Sequence, residues 1–212
     1  MISTGSTPLL HYWVAGRPIP GERESGDQFL VAPRPQGALV AVVDGLGHGE
    51  EACLAAKLAV ATLARHADES LIPLIQRCHE ELRRTRGAVL TVASFDAITG
   101  SMTWVGIGNV EAMLLRAAAP GAKPVSILPR GGIVGDRLPN LMPATLPVYP
   151  GDFLLLATDG IGSAFMHEVR RAEQPQQLVT QIFHAHARDT DDALVLGVQW
   201  TGANRESTNA RS

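Results

Sequence analysis

Residues 38–49 read Ala38-Leu-Val-Ala-Val-Val-Asp44-Gly-Leu-Gly-His-Gly49. Six apolar residues stop abruptly on an acid. Three glycines then alternate with Leu46 and His48 before an Ala-rich stretch opens at Glu50. The apolar run reads as a buried strand and the Ala-rich stretch as a helix. Glycines at 45, 47 and 49 let the backbone turn sharply between them. The reading places a carboxylate at the mouth of a core strand, beside a loop whose peptide groups can face a ligand. That is a good place to hold a metal, but one acid there proves little. The rest of the chain matters according to whether other core strands end the same way.

Three other places do. Phe153-Leu-Leu-Leu-Ala-Thr-Asp159-Gly160 repeats the apolar run and the Asp-Gly step. Asp189-Thr-Asp191-Asp192 leads into the apolar run 193–198, and Gly26-Asp27 opens the strand-like segment 28–32. Asp-Gly is common in turns and Asp caps helices, so each acid taken singly has a structural reading. Taken together, four acidic strand ends suit hard divalent cations, which take oxygen ligands. Within the pair at 191–192, neighbours in an extended segment point opposite ways, so Asp191 is the better ligand and Asp192 the poorer.

Outward from these points, the spacing predicts strands near 11–15, 27–32 and 38–43, with Pro33, Pro35 and Gly37 making the turn between the last two. Helices follow over 50–66 and about 70–85. Short β-rich segments come next at 88–95, 101–107 and 110–116, with a hairpin turn at 96–100. The stretch 117–151 is rich in Pro and Gly, with strand-like islands at 125–128 and 145–148. A buried strand at 153–157, a helix over 174–188 and a strand over 193–200 complete the order. Residues 1–9 are expected to be a flexible N-terminus and 201–212 a polar, disordered tail. Strands, two adjacent helices, a block of strands, then helix and strand is not βαβ alternation. It suggests antiparallel sheets covered by helices, an α+β arrangement.

Composition narrows the function classes. The chain has 212 residues, 45% hydrophobic and 18% charged, which suits one globular domain. Its net charge is −3, so nothing points to a nucleic-acid partner. No apolar run approaches the ~20 residues that span a bilayer, and no segment resembles a signal peptide. Cys53 and Cys78 fall in helical segments without metal-type spacing. Free thiols of this kind fit a cytoplasmic protein, expected to be a monomer. Gly45-Leu-Gly-His-Gly49 also follows a strand and precedes a helix, as a nucleotide-binding loop would. It lacks the Gly-x-Gly-x-x-Gly spacing and the Lys-Ser/Thr of a P-loop.

Five segments occur in a telling order: Ser25-Gly-Asp27-Gln-Phe29, Val43-Asp-Gly-Leu-Gly-His-Gly49, Gly106-Ile-Gly-Asn109, Leu156-Ala-Thr-Asp-Gly160 and Asp191-Asp-Ala-Leu-Val-Leu196. Together, over about residues 10–200, they resemble the metal-dependent (PPM, type-2C) Ser/Thr protein phosphatases, in the SpoIIE-like branch. The compact length and the Gly-Ile-Gly-Asn form are similar to the stressosome phosphatases of that branch. The resemblance implies a four-layer αββα sandwich, two central antiparallel sheets flanked by helices, with two Mn²⁺ or Mg²⁺ ions at one end. By motif position it implies that Asp44 bridges the ions, the Gly45 carbonyl ligates one, and Asp159 and Asp191 complete the other. Asp27 acts from behind, through water. The implied reaction is hydrolysis of phosphoserine or phosphothreonine by a water that the ions activate. The implied partners are phosphorylated STAS-domain stressosome proteins of the RsbR and RsbS type.

Some residues stay open at this stage. His48 is a candidate proton donor or a neighbour of the metal loop, and equally a structural hydrogen-bonding residue. Larger relatives hold phosphate with an N-terminal arginine. Arg17 and Arg23 lie in that region without a clear motif, and read better as loop charges. The long loop 129–150 is expected to shape a docking surface. The rival to an enzyme is an inactive phosphatase-like module that binds a phosphorylated partner.

Overall fold

The structure is a computed structural model that describes residues 1–118, 123–169 and 174–202. Eleven strands and four helices make it up among these residues. The strands are β1 (Ile2–Ser6), β2 (Leu10–Arg17), β3 (Asp27–Arg34), β4 (Gly37–Gly45), β5 (Ala88–Asp96), β6 (Ser101–Ile107), β7 (Glu111–Leu115), β8 (Val125–Ser126), β9 (Ala144–Pro147), β10 (Phe153–Ala157) and β11 (Ala193–Trp200). The helices are α1 (Glu50–Arg65), α2 (Leu71–Leu82), α3 (Phe165–Glu168) and α4 (Pro175–His186).

The strands form two antiparallel sheets. One runs β1-β2-β11-β10-β7-β8 and the other β3-β4-β5-β6-β9. The reason β4 reads as an unbroken apolar run is that both its faces are covered. Ala38, Val40 and Val42 point between the sheets, against Leu154, Leu156, Leu196 and Val198. Leu39, Ala41 and Val43 point the other way, onto α1 and α2. The outer face of the first sheet packs on α3 and α4 through Phe153, Leu155, Phe165, Val179 and Phe183. The layers are therefore α, β, β, α, as expected. Trp104 and Trp200 sit in the inter-sheet layer, with Trp200 stacked on Phe95 at 5.4 Å.

Three local expectations change. Residues 2–6 do not fray: β1 pairs with β2 along its whole length, from Ile2 opposite Ala15 to Ser6 opposite His11. Its alternating, half-exposed pattern is that of an edge strand, too polar to announce itself by hydropathy. Second, Pro33 lies inside β3 and not in the turn, opposite Ala38. That strand is an edge, so a missing N–H costs no ladder bond. Third, the loop 129–150 is less irregular than its composition suggests. Val134 is buried and pairs with Ala88, Arg130 pairs with Ile107, and the Gly135 N–H donates to His79 Nδ1 on α2 at 2.9 Å. The short helix α3 was not foreseen, because four residues are too few to show a period. Most of the expected tail, 203–212, lies outside the described residues. No helix among the described residues is long and apolar enough to cross a membrane.

A candidate metal centre at one end of the sandwich

The register of the sheets brings the acids together. Even-numbered residues of β4 face between the sheets, and Asp44 continues that series at the strand's end. In β3 the inward series is Asp27, Phe29 and Val31, and Asp27 stands directly opposite Asp44. From the other sheet, β10 ends at Ala157 and Asp159 follows two residues later, while Asp191 and Asp192 precede β11. Residues separated by more than a hundred positions thus share one mouth.

Both Asp-Gly steps need glycine for the same reason, a close approach of backbone. A Cβ on Gly45 would stand 2.1 Å from the carbonyl oxygen of Ala52 in α1. One on Gly160 would stand 1.8 Å from the carbonyl oxygen of Asp192. These contacts press helix α1 and the start of β11 against the two acids.

The two members of the 191–192 pair divide as strand geometry requires. Asp192 is buried and fully used: Ile19 N–H donates to its Oδ1 at 2.7 Å and Gly26 N–H to its Oδ2 at 2.6 Å. It clamps the loop before β3 onto the other sheet. Asp191 is only partly buried and receives the Asp192 N–H at 2.9 Å, leaving oxygens open to a ligand.

Asp27 is 5% exposed and accepts the Thr158 hydroxyl at 2.7 Å. Thr158 in turn receives the Leu194 N–H at 2.9 Å. This hydroxyl pins the two sheets together beneath the acids, a role that the Ala-Thr-Asp-Gly motif concealed. Asn109, in the turn after β6, donates to Asp159 Oδ2 at 2.6 Å. The sequence offered that residue only as a neutral amide.

Charge at this end of the molecule is poorly compensated. Burial, then the charges of Asp159, Asp191 and Asp192, push the Asp44 carboxyl up to about 8. Burial and Asp44 hold Asp27 well above the usual carboxylate range, against the opposing Thr158 bond. Asp159 is raised by desolvation and by Asp191, although its outer side meets solvent. At Asp27, Asp44 and Asp159 burial leads and the neighbouring acids add to it. The donor set is all hard oxygen, which fits Mg²⁺ or Mn²⁺ and not a soft metal. Among the described residues no three His, Cys, Asp or Glu side chains form a closed cage. Mg²⁺ needs no such cage: it is commonly bound through one or two carboxylates and keeps waters in its other positions.

His48 does not join this group. It is exposed, its Nδ1 lies 3.4 Å from Glu22 Oε1, and it makes no hydrogen bond to the acids among the described residues. Arg17 is not a loose loop charge. Its Nη2 binds Asp189 Oδ1 at 2.6 Å and the Arg188 carbonyl at 2.9 Å, bracing the segment before Asp191. Arg23 is exposed.

An αββα sandwich with this acidic mouth is the architecture of a protein-phosphatase fold, and comparison with known proteins agrees. The sequence profile of the family described as Stage II sporulation protein E (SpoIIE) matches residues 34–203. The chain belongs to the SpoIIE family. It is similar to the phosphoserine phosphatase RsbX of Bacillus subtilis (strain 168), 23% identical over 182 residues, which cover 84% of this chain and 88% of RsbX. A crystal structure of RsbX in complex with magnesium superposes with a TM-score of 0.84 at 20% identity, over 95% of this chain and all (100%) of that one. A chain solved in work on the bacterial stressosome as a modular system adapted to control secondary messenger signalling is 30% identical, with a TM-score of 0.81. It spans 90% of this chain and 99% of its own.

Proposed function

We propose that this protein is a divalent-cation-dependent phosphatase that hydrolyses phosphoserine and phosphothreonine in a protein partner. The observation that carries this reading is the meeting of Asp44, Asp159 and Asp191 at one mouth, where burial and then the charges of the other two raise the Asp44 carboxyl. Two Mg²⁺ or Mn²⁺ ions would be held there by Asp44, the Gly45 carbonyl, Asp159 and Asp191, with Asp27 acting through water. When bound, such ions supply a readily deprotonated water and neutralise charge on phosphoryl oxygens.

The chain's own residues prepare that chemistry. The Asn109 amide orients Asp159, and the Asp192 clamp sets the direction of Asp191 by fixing its neighbour. Thr158 holds Asp27 in place from below. No covalent intermediate is called for, since an ion-activated water would be the nucleophile, and the thiols of Cys53 and Cys78 are buried in helices α1 and α2. Those thiols suit work in a reducing cytoplasm, as a monomer. His48 remains a proposal as proton donor only if its pairing with Glu22 opens in the complex.

The partners we infer are phosphorylated STAS-domain proteins of a stressosome. Likeness to RsbX and to the stressosome chain supports this class. The loop 129–150 lies close to the proposed metal loop, since Val134 pairs with Ala88, which itself stands opposite Gly45. A partner bound at the acidic mouth would meet that loop. Exchanging it should alter partner choice while small aryl phosphates are still hydrolysed.

The deciding experiment incubates the protein with Mn²⁺ and a phosphorylated STAS-domain protein and follows phosphate release, beside p-nitrophenyl phosphate and the Asp159→Ala variant. Hydrolysis that needs Mn²⁺ and Asp159 supports the enzyme. Tight binding of the phosphorylated partner without any turnover would make the protein an inactive recognition module.

A further inference from the structure

A phosphate monoester carries negative charge, and the mouth that would receive it is lined with carboxylates. Bound divalent ions would offset that charge, and a cationic side chain facing the same opening would add to the attraction and orient the phosphoryl group. Three arginines flank the acids, and their surroundings differ. Arg17 is committed to Asp189 and to the Arg188 carbonyl. Arg86 leans over the glycine loop, where its Nη1 would stand 2.8 Å from a Cβ on Gly47, but it is ion-paired with Glu51. Arg188 is different. Its side chain is exposed, and among the described residues it makes no ion pair and no side-chain hydrogen bond.

The backbone that carries Arg188 is nonetheless held at a defined place. The Arg188 N–H donates to the Gly160 carbonyl at 2.8 Å, and its own carbonyl accepts from Arg17. The preceding residue, Ala187, bridges to Ile161, and the Gly162 N–H donates to the His186 carbonyl at 2.8 Å. The strap 186–188 is thus stitched onto the turn that follows Asp159. The Arg188 side chain crosses Gly162: a methyl built there would lie 3.6 Å from its Nε and 3.7 Å from its Nη2. Its charge reaches the Asp159 carboxylate and opposes the upward push of Asp191.

We propose that Arg188 is the substrate-phosphate-binding residue, its planar fork taking two phosphoryl oxygens of the phosphoserine beside Asp159. This rests on the phosphatase reading above, and gives it a residue that none of the strand-end motifs contains. A guanidinium suits the task because it pairs with phosphate in a bidentate manner, whereas an ammonium acts as a point charge. A backbone fixed on both sides places the guanidinium beside the turn of Asp159, and with no ion pair of its own among the described residues it is open to an incoming anion.

The test titrates inorganic phosphate into the Mg²⁺-loaded full chain by calorimetry, for wild type, Arg188→Gln, Arg188→Lys and Arg86→Gln. Thermal melts accompany each variant, and hydrolysis of p-nitrophenyl phosphate is measured in parallel. We expect Arg188→Gln to weaken phosphate binding ~10-fold or more, the size of a lost charged hydrogen bond. Arg188→Lys should recover part of it and Arg86→Gln should match wild type, all with unchanged melting. KM should rise by the same factor as the phosphate Kd, with kcat less affected. Equal phosphate affinity in wild type and Arg188→Gln, or no phosphate binding by wild type, overturns the assignment. Phosphate binding that depends on Arg188, without hydrolysis of any monoester, keeps this site and removes the enzymatic reading.

Discussion

The chain ends two core strands on the same dipeptide, and the two outcomes differ. Asp44 is still inside its sheet: it faces Asp27 on one side and Val89 on the other, in the regular register of β4. Asp159 lies past the end of β10, in a turn, with its outer side in solvent and one oxygen held by Asn109. Burial therefore raises Asp44 to about 8, with its acidic neighbours adding to it. Arg188 and the peptide N–H groups of the turn moderate the rise at Asp159. An identical motif thus yields one acid whose charge the fold resists and one whose charge it partly balances. Where an acid sits relative to the last ladder bond decides its electrostatics, and the local sequence does not.

The sharpest way to break this comparison is to remove each charge in turn. Asp44→Asn and Asp159→Asn should each lower Mn²⁺-dependent hydrolysis of p-nitrophenyl phosphate by at least ~10³-fold, since each removes a proposed ligand. Their metal-free stabilities should part company. Above pH 8 Asp44→Asn should melt higher than wild type, and Asp159→Asn should gain less. Equal gains would show that the two acids share one environment.

Next in size is the contrast between Asp191 and Asp192. Asp192→Ala strands the N–H groups of Ile19 and Gly26, of which the second bond is buried. A cost of ~2–3 kcal/mol is expected in urea unfolding, with easier proteolysis of the 18–26 loop. Asp191→Ala should cost much less stability and lose activity instead. If both variants unfold alike, the division of labour between them is wrong.

A pH series on the metal-free protein reads the Asp44 effect directly. Its carboxyl titrates near 8 when folded and near the ordinary 3.8 when unfolded. The folded state therefore holds the proton more tightly. The stability this contributes is complete below the unfolded value and is lost as pH rises through 8. Melting should fall across that window, fall less steeply in Asp44→Asn, where Asp27 and Asp159 still contribute, and recover with saturating Mg²⁺. A wild-type melting curve that does not change from pH 5 to 8.5 would contradict it. The smallest effect belongs to Asn109→Ala, which frees Asp159 without touching any proposed ligand. A rise of ~10-fold in the Mn²⁺ concentration needed for half activity is expected, the scale for losing a residue that orients a metal ligand.

Much of this was legible in the chain. The apolar runs at 38–43, 153–157 and 193–198 declare buried strands because both of their faces are covered, and their acids mark where the covering ends. The Asp-Gly steps could be seen, but not why glycine is needed there: the obstructing atoms are carbonyls of Ala52 and Asp192. Strand β1 escaped notice because an edge strand of small polar residues has no hydropathic signature. The bonds of Thr158, Asn109 and Arg188 escaped because each reaches across a sheet or a turn to a residue many positions away.

The sequence by itself determined the layer order, the four acidic strand ends and the family. These follow from local hydropathy and from short segments in a readable order. Only the tertiary structure decided that Asp192 is a clamp while Asp191 keeps oxygens open, that Arg17 is a brace, and that the Arg188 side chain crosses Gly162 beside the turn of Asp159 without an ion pair among the described residues. Those roles depend on which backbone groups come within hydrogen-bond distance, and long-range strand register sets that distance.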